Sequence, residues 1–269
     1  MRNRKFFIGV ALAVTGALAT AGIAQAAQTQ TLTVSASNSK QDKKVPGGTN
    51  LHVDIKTQTP LGTPAAQSAS HTDLDIAKDF SFVPPTATCN ATQLAGTTTA
   101  QAQAVCGASI VGQGSGTLCS PVGGCGATPG GGIPVAITAF NATPSGGNAG
   151  LNLHAKPGGA AASAPPLVLT GTLVPSPAGA LYGKRLSVDV PDSSGTGFNL
   201  VDFDTTINRI VTKKANKKKH KPAKYYISAK CSKKSWAFQS TTTFRAGGGS
   251  ATASATIPCK QKKSKKKKK

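Results

Sequence analysis

Hydrophobic and polar residues alternate along most of this chain, in short runs typical of half-buried β-strands. The clearest run, 199–212, places apolar side chains on one face of a strand and Asp or Asn side chains on the other. Its apolar positions are Val201, Phe203, Ile207 and Val211, and its polar positions are Asp202, Asp204 and Asn208. Similar runs occur at 31–37, 50–58, 71–77, 109–118, 133–142, 149–156, 166–174, 181–190, 224–232 and 250–259.

Turn-forming residues separate most of these strands, as in "PSGGN" at 144–148 and "SPAG" at 176–179. One segment, 97–105, has the composition of a helix, and its threonines stand where they cap a helix N-terminus. Many short strands joined by turns are typical of antiparallel architectures. We therefore predict an all-β protein, a single antiparallel β-sandwich or open barrel with one short helix, over residues 27–259.

The N-terminus has the pattern of a secretory signal peptide. Arg2, Arg4 and Lys5 precede an apolar stretch at 6–23, and Ala24-Gln25-Ala26 matches the small-x-small cleavage pattern. We expect residues 1–26 to be removed, which makes the mature protein secreted or extracellular, with no transmembrane span. The alternative is an N-terminal membrane anchor, since the stretch has about the length of a span.

Cysteine usage agrees with export, because the count is even and every cysteine follows the predicted cleavage site. Proximity along the chain suggests the disulfides Cys89–Cys106, Cys119–Cys125 and Cys231–Cys259. The cysteines lack zinc-site spacing, and the histidines are far apart in sequence. The sequence therefore predicts no metal site, and it contains no cofactor motif. The histidines are His52, His71, His154 and His220.

The positive charge is concentrated near the C-terminus. The first 208 residues carry eleven basic and nine acidic residues, whereas the rest carry twenty basic residues and no acid. These residues form a block at 213–226, expected to be a hairpin loop, and a tail at 260–269, expected to be disordered. The predicted polyanion-binding residues are Lys213, Lys214, Lys217, Lys218, Lys219, Lys221, Lys224, Lys260, Lys262, Lys263, Lys265, Lys266, Lys267, Lys268 and Lys269.

Several segments together resemble a group of exported, uncharacterised actinobacterial proteins with no assigned activity. They are "CGASIVGQG" (106–114), "ITAFNA" (137–142), "LHAK" (153–156), "ALYGKRLSVDVP" (180–191) and "YYISAKC" (225–231), followed by Trp236 and Cys259. The resemblance implies a secreted β-sandwich with two disulfides near these positions. The "CSPVGGC" loop at 119–125 departs from that pattern, so its bridge rests on proximity alone.

No motif in the sequence identifies a reaction. The segment "GQGSG" (112–116) has its serine in the wrong place for a hydrolase elbow. The pairs Asp73/Asp75 and Asp202/Asp204 have strand spacing, which predicts solvated faces rather than catalytic carboxylates or a calcium site. A lyase acting on acidic glycans would use Tyr, His, Lys or Arg side chains. The available residues are Tyr182, Tyr225, Tyr226, His154 and Arg185.

Three functions of different classes follow from these observations. The leading hypothesis is a non-catalytic structural or adhesive envelope protein, held by its lysines on an anionic cell-wall polymer or an acidic lipid surface. The alternatives are a polysaccharide-lyase-like enzyme and an unselective binder of extracellular nucleic acid. Lysine lacks the bidentate geometry of arginine, and the tail lacks aromatic residues that stack on bases. We therefore expect attachment that does not choose among polyanions.

Overall fold

A computed structural model describes residues 28–58, 68–119, 132–192, 199–212, 224–245 and 249–262. Over these ranges no helix has the length and hydrophobicity needed to cross a membrane. Eleven long strands of the described residues form one antiparallel sheet. They are β1 (Thr29–Ala36), β4 (Leu51–Gln58), β5 (Ala69–Ala77), β7 (Ile110–Cys119), β8 (Ile133–Ser145), β9 (Asn148–Pro157), β10 (Leu167–Pro175), β11 (Tyr182–Asp189), β12 (Asn199–Ile207), β16 (Ser235–Phe244) and β17 (Ser250–Pro258).

The large sheet curls until its two edges meet. Its strand order is β1-β4-β12-β7-β8-β9-β10-β11-β5-β16-β17, and the first and last strands lie in contact. Neighbouring strands alternate in direction, so β1 and β17 run the same way at this seam. Gln30 Nε2 reaches across the seam and donates to Ser240 Oγ at 2.6 Å. The prediction of a single antiparallel, sandwich-like or barrel-like all-β fold is confirmed.

Strand alternation sends apolar side chains to the interior of the curled sheet. On β4, Leu51, Val53 and Ile55 are buried, whereas the residues between them are only half-buried.

The backbones of β7 and β12 lie unusually close together. A side chain at Gly114 of β7 would place its Cβ 1.9 Å from the carbonyl oxygen of Asp204 on β12. Glycine at this position allows the two backbones to approach that closely.

A helical flap covers part of the outer face of the sheet. It contains α1 (Ala91–Leu94) and α2 (Thr99–Cys106), and the Gln101 amide donates to the Thr98 hydroxyl at the start of α2. The predicted helix and its threonine cap are confirmed. The disulfide Cys89–Cys106 closes the flap, and Leu94 packs with Phe140 of β8 in a small second core.

Short strands complete the described structure. They are β2 (Lys40–Gln41), β3 (Gly47–Gly48), β6 (Phe80–Phe82), β13 (Ile210–Thr212), β14 (Lys224–Tyr225), β15 (Ile227–Ala229) and β18 (Lys260–Gln261). The strands β3, β15 and β6 form a small sheet at one end of the large sheet, where β3 leads into β4 and β6 follows β5. The Thr49 amide donates to Ile227, the Val83 amide donates to Tyr226, and the Lys230 amide donates to Asp79. Phe80, Tyr226 and Ile227 in and beside this small sheet pack in the main core, so this end of the large sheet is capped.

Two parts of the chain differ from the expectations drawn from the sequence. The strand β16 is not predicted, because Ser240 and Thr242 occupy interior positions and interrupt the apolar pattern. Lys260 and Gln261 form a strand, so these residues belong to the fold rather than to a disordered tail. The disulfide Cys231–Cys259 is confirmed, whereas Cys125 of the predicted pair Cys119–Cys125 lies outside the described residues.

Candidate functional site

The predicted polyanion-binding lysines fall mostly outside the described residues. Lys224, Lys260 and Lys262 are described, and all three are exposed. Lys213, Lys214, Lys217, Lys218, Lys219, Lys221, Lys263, Lys265, Lys266, Lys267, Lys268 and Lys269 are outside the described ranges. The strands that border 213–223 do pair: Thr212 of β13 lies opposite Lys224 of β14. The strands on either side of the predicted loop therefore form an antiparallel pair, and residues 213–223 between them lie outside the described ranges.

Three separate segments of the chain meet beside the capped end of the sheet. Lys260 is the strand partner of Lys40, and the amides of Lys260 and Lys262 donate to the carbonyls of Ser39 and Gln41, each at 2.8 Å. The Cys231 amide donates to the Asp42 carbonyl, and the Cys259 amide donates to the Lys234 carbonyl, also at 2.8 Å. The Cys231–Cys259 disulfide links two of the three segments covalently.

These contacts create a lysine-rich surface, which we call the basic end. It consists of Lys40, Lys43, Lys44, Lys230, Lys233, Lys234, Lys260 and Lys262. Lys230 is half-buried and the others are exposed. Within the described part of the chain, none of them lies within salt-bridge distance of a carboxylate. The surface therefore carries a dense net positive charge.

The two carboxylates near the basic end are occupied by other donors. Asp42 accepts hydrogen bonds from the amides of Lys44 and Val45, and these bonds lower the pKa of its carboxyl group. Asp79 is buried and accepts hydrogen bonds from the amide and hydroxyl of Ser232. Both aspartates support turns of this region, and the charges of Lys262 and Lys44 also act on Asp42 and lower its pKa.

Six lysines of the basic end are absent from the predicted site: Lys40, Lys43, Lys44, Lys230, Lys233 and Lys234. A signal for part of this set exists in the sequence. The predicted Cys231–Cys259 bridge brings 230–234 next to 260–262. Nothing in the local pattern of residues 40–44 indicates their pairing with β18, because that contact depends on the order of strands in the fold.

The interior of the curled sheet contains an apolar cavity of about 120 Å³. Leu, Ile and Val side chains of β4, β5, β9, β10, β11 and β12 form most of its wall, and Phe82, Tyr226 and Ile227 of the capping layer also line it. Protein interiors normally contain few voids larger than one water molecule. An empty cavity of this volume would cost about 3 kcal/mol at the usual ~24 cal/mol per Å³.

A polar cluster occupies the outer face of β5 and β11. Arg185 donates to both carboxylate oxygens of Asp75, at 2.9 and 2.8 Å, and to Asp73 at 2.9 Å. Ser176 donates to Asp75 at 2.6 Å. The hydrogen bond with Asp75 is the main reason that the pKa of Arg185 is raised. The aspartates at 73 and 75 share one strand face, as predicted, but the prediction that this face is solvated is wrong for Asp75, which is buried and paired with Arg185.

The same face aligns a serine, a histidine and an aspartate. Ser187 Oγ lies 2.9 Å from Nε2 of His71, and Nδ1 of His71 lies 2.8 Å from Oδ1 of Asp189. This connectivity matches a nucleophile, a base and an orienting carboxylate. However, the Ser187 hydroxyl also donates to Asp73 at 2.8 Å, and Asp73 contacts His71 Nε2 at 2.9 Å. Asp73 therefore competes with His71 for the serine proton.

Two further features of this serine–histidine–aspartate cluster oppose catalysis. Burial lowers the pKa of His71, but hydrogen bonds to Asp189 and Asp73 outweigh it and raise the pKa, which favours a ring that cannot accept a proton. Ser187 pairs with Thr172 on one side and with Asp73 on the other, inside two continuous ladders. The described strands thus offer no free pair of amides as an oxyanion hole. We interpret the cluster as a structural hydrogen-bond network.

A second polar cluster lies on β4 and β12. His52 Nε2 is 2.8 Å from Asp204, and Lys56 Nζ is 3.2 Å from Asp54 and 3.8 Å from Asp202. Burial raises the pKa of Asp202 to about 6; Lys56 opposes this shift, and the neighbouring carboxylates Asp54 and Asp204 add to it. No set of His, Cys, Asp or Glu within the described ranges has the arrangement of a metal site.

The residues considered for a lyase lie apart from one another. His154 of β9 is fully buried beneath the helical flap, where its Nε2 contacts Thr97, and burial lowers its pKa. The strand partner of His154 is Val168, and the strand partner of Arg185 is Val174. Both partners are on β10, and the rise of a strand from 168 to 174 separates the two side chains by roughly 20 Å.

The tyrosines do not join these residues in one cleft. Tyr226 is buried in the capping layer, and burial raises its pKa to about 12. Tyr225 is half-buried beside Gly48, where an added Cβ would lie 1.9 Å from the tyrosine ring. Tyr182 is on β11 near Asp75, and burial is the first cause of its raised pKa.

The fold and these sites define a disulfide-bonded, curled antiparallel β-protein with a basic end and an apolar interior cavity. No protein-family model matches the chain, and no curated protein matches its sequence.

Proposed function

We propose that this protein is an exported, non-catalytic protein that attaches to anionic polymers of the cell envelope through lysine side chains. The observation that carries the proposal is the basic end, where segments 40–44, 230–234 and 260–262 lie side by side. Both lysine-rich blocks predicted from the sequence are close to these segments along the chain. Lys224 precedes the capping strand β15, and residues 263–269 continue directly from Lys262.

The lysines of the basic end can hold the protein on a polyanion because they are clustered. A single exposed ion pair contributes about 0–1 kcal/mol, so one lysine does not hold a protein on a polymer. A group of unpaired lysines creates a positive field that attracts a polyanion at many points at once. The strand pairing and the Cys231–Cys259 disulfide keep these charges close before the polymer arrives. Less conformational entropy is then lost on binding.

The chemistry of lysine favours attachment without selection among polyanions. An ammonium group is a compact point charge without the planar fork that reads a particular phosphate or carboxylate. Binding through such groups weakens steeply with salt, because the Debye length is only about 8 Å at physiological ionic strength.

The test compares two variants with the same net charge. Lys40→Gln, Lys260→Gln and Lys262→Gln together remove three charges from the basic end. Thr31→Glu, Ser250→Glu and Thr252→Glu lower the net charge equally at exposed positions on β1 and β17. We expect the lysine variant to elute from immobilised anionic wall polymer at clearly lower salt, and the control variant to elute close to the wild type. Equal loss in both variants would show that net charge, not the basic end, controls retention.

Parallel measurements distinguish the possible polyanions. On duplex DNA, each lysine that meets a phosphate adds roughly 0.9 to the log–log salt slope, so the lysine variant should lose up to about 3 units. Vesicles containing acidic lipid and vesicles of neutral lipid provide the membrane comparison. Retention on wall polymer that is no stronger than on neutral vesicles would contradict the proposal.

A further inference from the structure

The interior cavity is independent of the basic end and has the character of a ligand site. Of the residues that line it, sixteen are Leu, Ile or Val and three are aromatic. The wall combines side chains from six strands that lie far apart in the chain, such as Leu74, Leu153 and Leu186. Aliphatic walls offer large, non-directional contact and little geometry for stacking a planar ring. The wall therefore suits an apolar ligand that needs no directional contact, such as an aliphatic chain.

The size of the cavity limits the ligand. An apolar cavity of about 150 Å³ stays dry and accommodates benzene, and the cavity found here is of the same order. A linear chain of roughly six to eight carbons fits this range. The neighbouring strands supply the width, and Phe82, Tyr226 and Ile227 border the cavity at the capping layer.

One polar group in the wall lacks a partner. Thr205 lines the cavity and is 3% exposed, and its hydroxyl oxygen has no hydrogen-bond partner among the described residues. Buried hydroxyl groups are normally satisfied, because leaving one unpaired costs free energy. A ligand that carries one small polar group near Thr205 would satisfy it.

The charges in the wall indicate that the polar group of the ligand is neutral. No Lys or Arg of the described residues lines the cavity, and the carboxylate of Asp202, a residue of the wall, lies 3.8 Å from Lys56 in the polar cluster of β4 and β12. A ligand carboxylate would therefore be buried among apolar side chains with no cation to pair with it. An alcohol, ester or amide avoids this cost.

We propose that the interior cavity binds a medium-length aliphatic chain that carries one neutral polar group, with Thr205 as its hydrogen-bond partner. The residues that form the site are Leu51, Ile55, Leu74, Leu153, Leu186 and Thr205. The ligand occupies the interior of the sheet, whereas the polyanion meets the basic end, so either proposal can fail without the other.

The first experiment uses octan-1-ol as the probe with the full mature protein. Calorimetry should give one binding event per chain with a negative heat-capacity change, and the melting temperature should rise with probe concentration. Octanoate should bind at least tenfold more weakly than octan-1-ol. Absence of binding by octan-1-ol, or tighter binding of octanoate or of naphthalene, would overturn the proposal.

Variants then locate the probe. Ala149→Leu adds three carbons to a residue that lines the cavity, and Ala180→Leu makes the same change at an exposed position outside it. We expect Ala149→Leu to weaken octan-1-ol binding at least tenfold and Ala180→Leu to leave it unchanged. Equal affinity in both variants would place the probe elsewhere and overturn the proposal.

Thr205→Val provides a further variant that keeps the side-chain shape. It should weaken octan-1-ol about three- to tenfold and leave the binding of 1-chlorooctane unchanged, because only the alcohol uses the threonine hydroxyl. If Thr205→Val alters neither ligand, or weakens both equally, Thr205 is not the hydrogen-bond partner and the assignment is wrong. Circular dichroism of each variant confirms that the fold is retained before binding is measured.

Discussion

Lys40 and Lys260 are direct partners in the parallel pairing of β2 and β18. Like charges that face each other across a strand pair are destabilising by a few tenths of a kcal/mol or more. The backbone hydrogen bonds from Lys260 to Ser39 and from Lys262 to Gln41 hold them together in spite of that repulsion. The positive charge at this position therefore opposes folding stability.

Replacing Lys260 should raise stability while weakening attachment. Lys260→Gln removes the repulsion with Lys40, so the free energy of unfolding should increase by about 0.2–1 kcal/mol at low salt. The gain should disappear at high salt, where the charges are screened. Urea unfolding at two salt concentrations measures both effects. A loss of stability at low salt would contradict the repulsion.

Two truncations separate the tail from the fold. Ending the chain after Lys262 should leave the melting temperature unchanged, since β18 is kept. Ending it after Cys259 removes the amide bonds of β18 and the contact of Gln261 with the Cys231 carbonyl. That loss should cost about 1–3 kcal/mol, or several degrees. Equal melting temperatures for the two truncations, measured by calorimetry, would show that β18 contributes nothing.

The Cys231–Cys259 disulfide should contribute more to stability than Cys89–Cys106. It closes a separation of 28 residues, compared with 17 for the other bridge. In the chain-entropy model the larger loop gives about 3–4 kcal/mol. Double Cys→Ser variants of each bridge, unfolded in guanidinium, test the order. A larger loss from the Cys89–Cys106 pair would reverse it.

Gly114 should not tolerate a side chain. Gly114→Ala places a Cβ against the Asp204 carbonyl, so β7 and β12 must separate, at a cost of about 1–3 kcal/mol. Gly107→Ala is the matched control, because a Cβ at Gly107 meets nothing within 4 Å and its φ is −54°. The control should be neutral or slightly stabilising. Comparable destabilisation of both variants in thermal unfolding would refute the steric argument.

Asp202 should make stability decrease as the pH rises from about 4 to about 6. Burial raises its folded-state pKa to about 6 from the ordinary value of 3.8, so in this range the folded state keeps a proton that the unfolded state has released. Asp202→Asn removes this titration. The free energy of unfolding of the variant, minus that of the wild type, should therefore increase from pH 4 to pH 6 and stay constant above pH 6. Urea unfolding at several pH values measures this difference. If it is the same at pH 4 and at pH 6, the pKa of Asp202 is not raised.

Local patterns in the sequence were sufficient to predict the strand-rich fold, the α2 helix and the bridges Cys89–Cys106 and Cys231–Cys259. Alternation, capping residues and short cysteine spacing depend on neighbours along the chain, so they can be recognised without a fold. The pattern fails at β16, where Ser240 and Thr242 face the interior and only the surrounding strands bury them.

The basic end, the cavity and the polar clusters are decided by the tertiary structure. Lys40 meets Lys260, and Ser187 meets His71, because the curled sheet places distant segments next to each other. The cavity likewise depends on how far apart the opposing walls of the sheet stand, which no single strand determines. The sequence determined which residues point inward or outward along each strand, since that follows from backbone periodicity. Strand order and sheet curvature decided which of them meet, because those contacts join residues far apart in the chain.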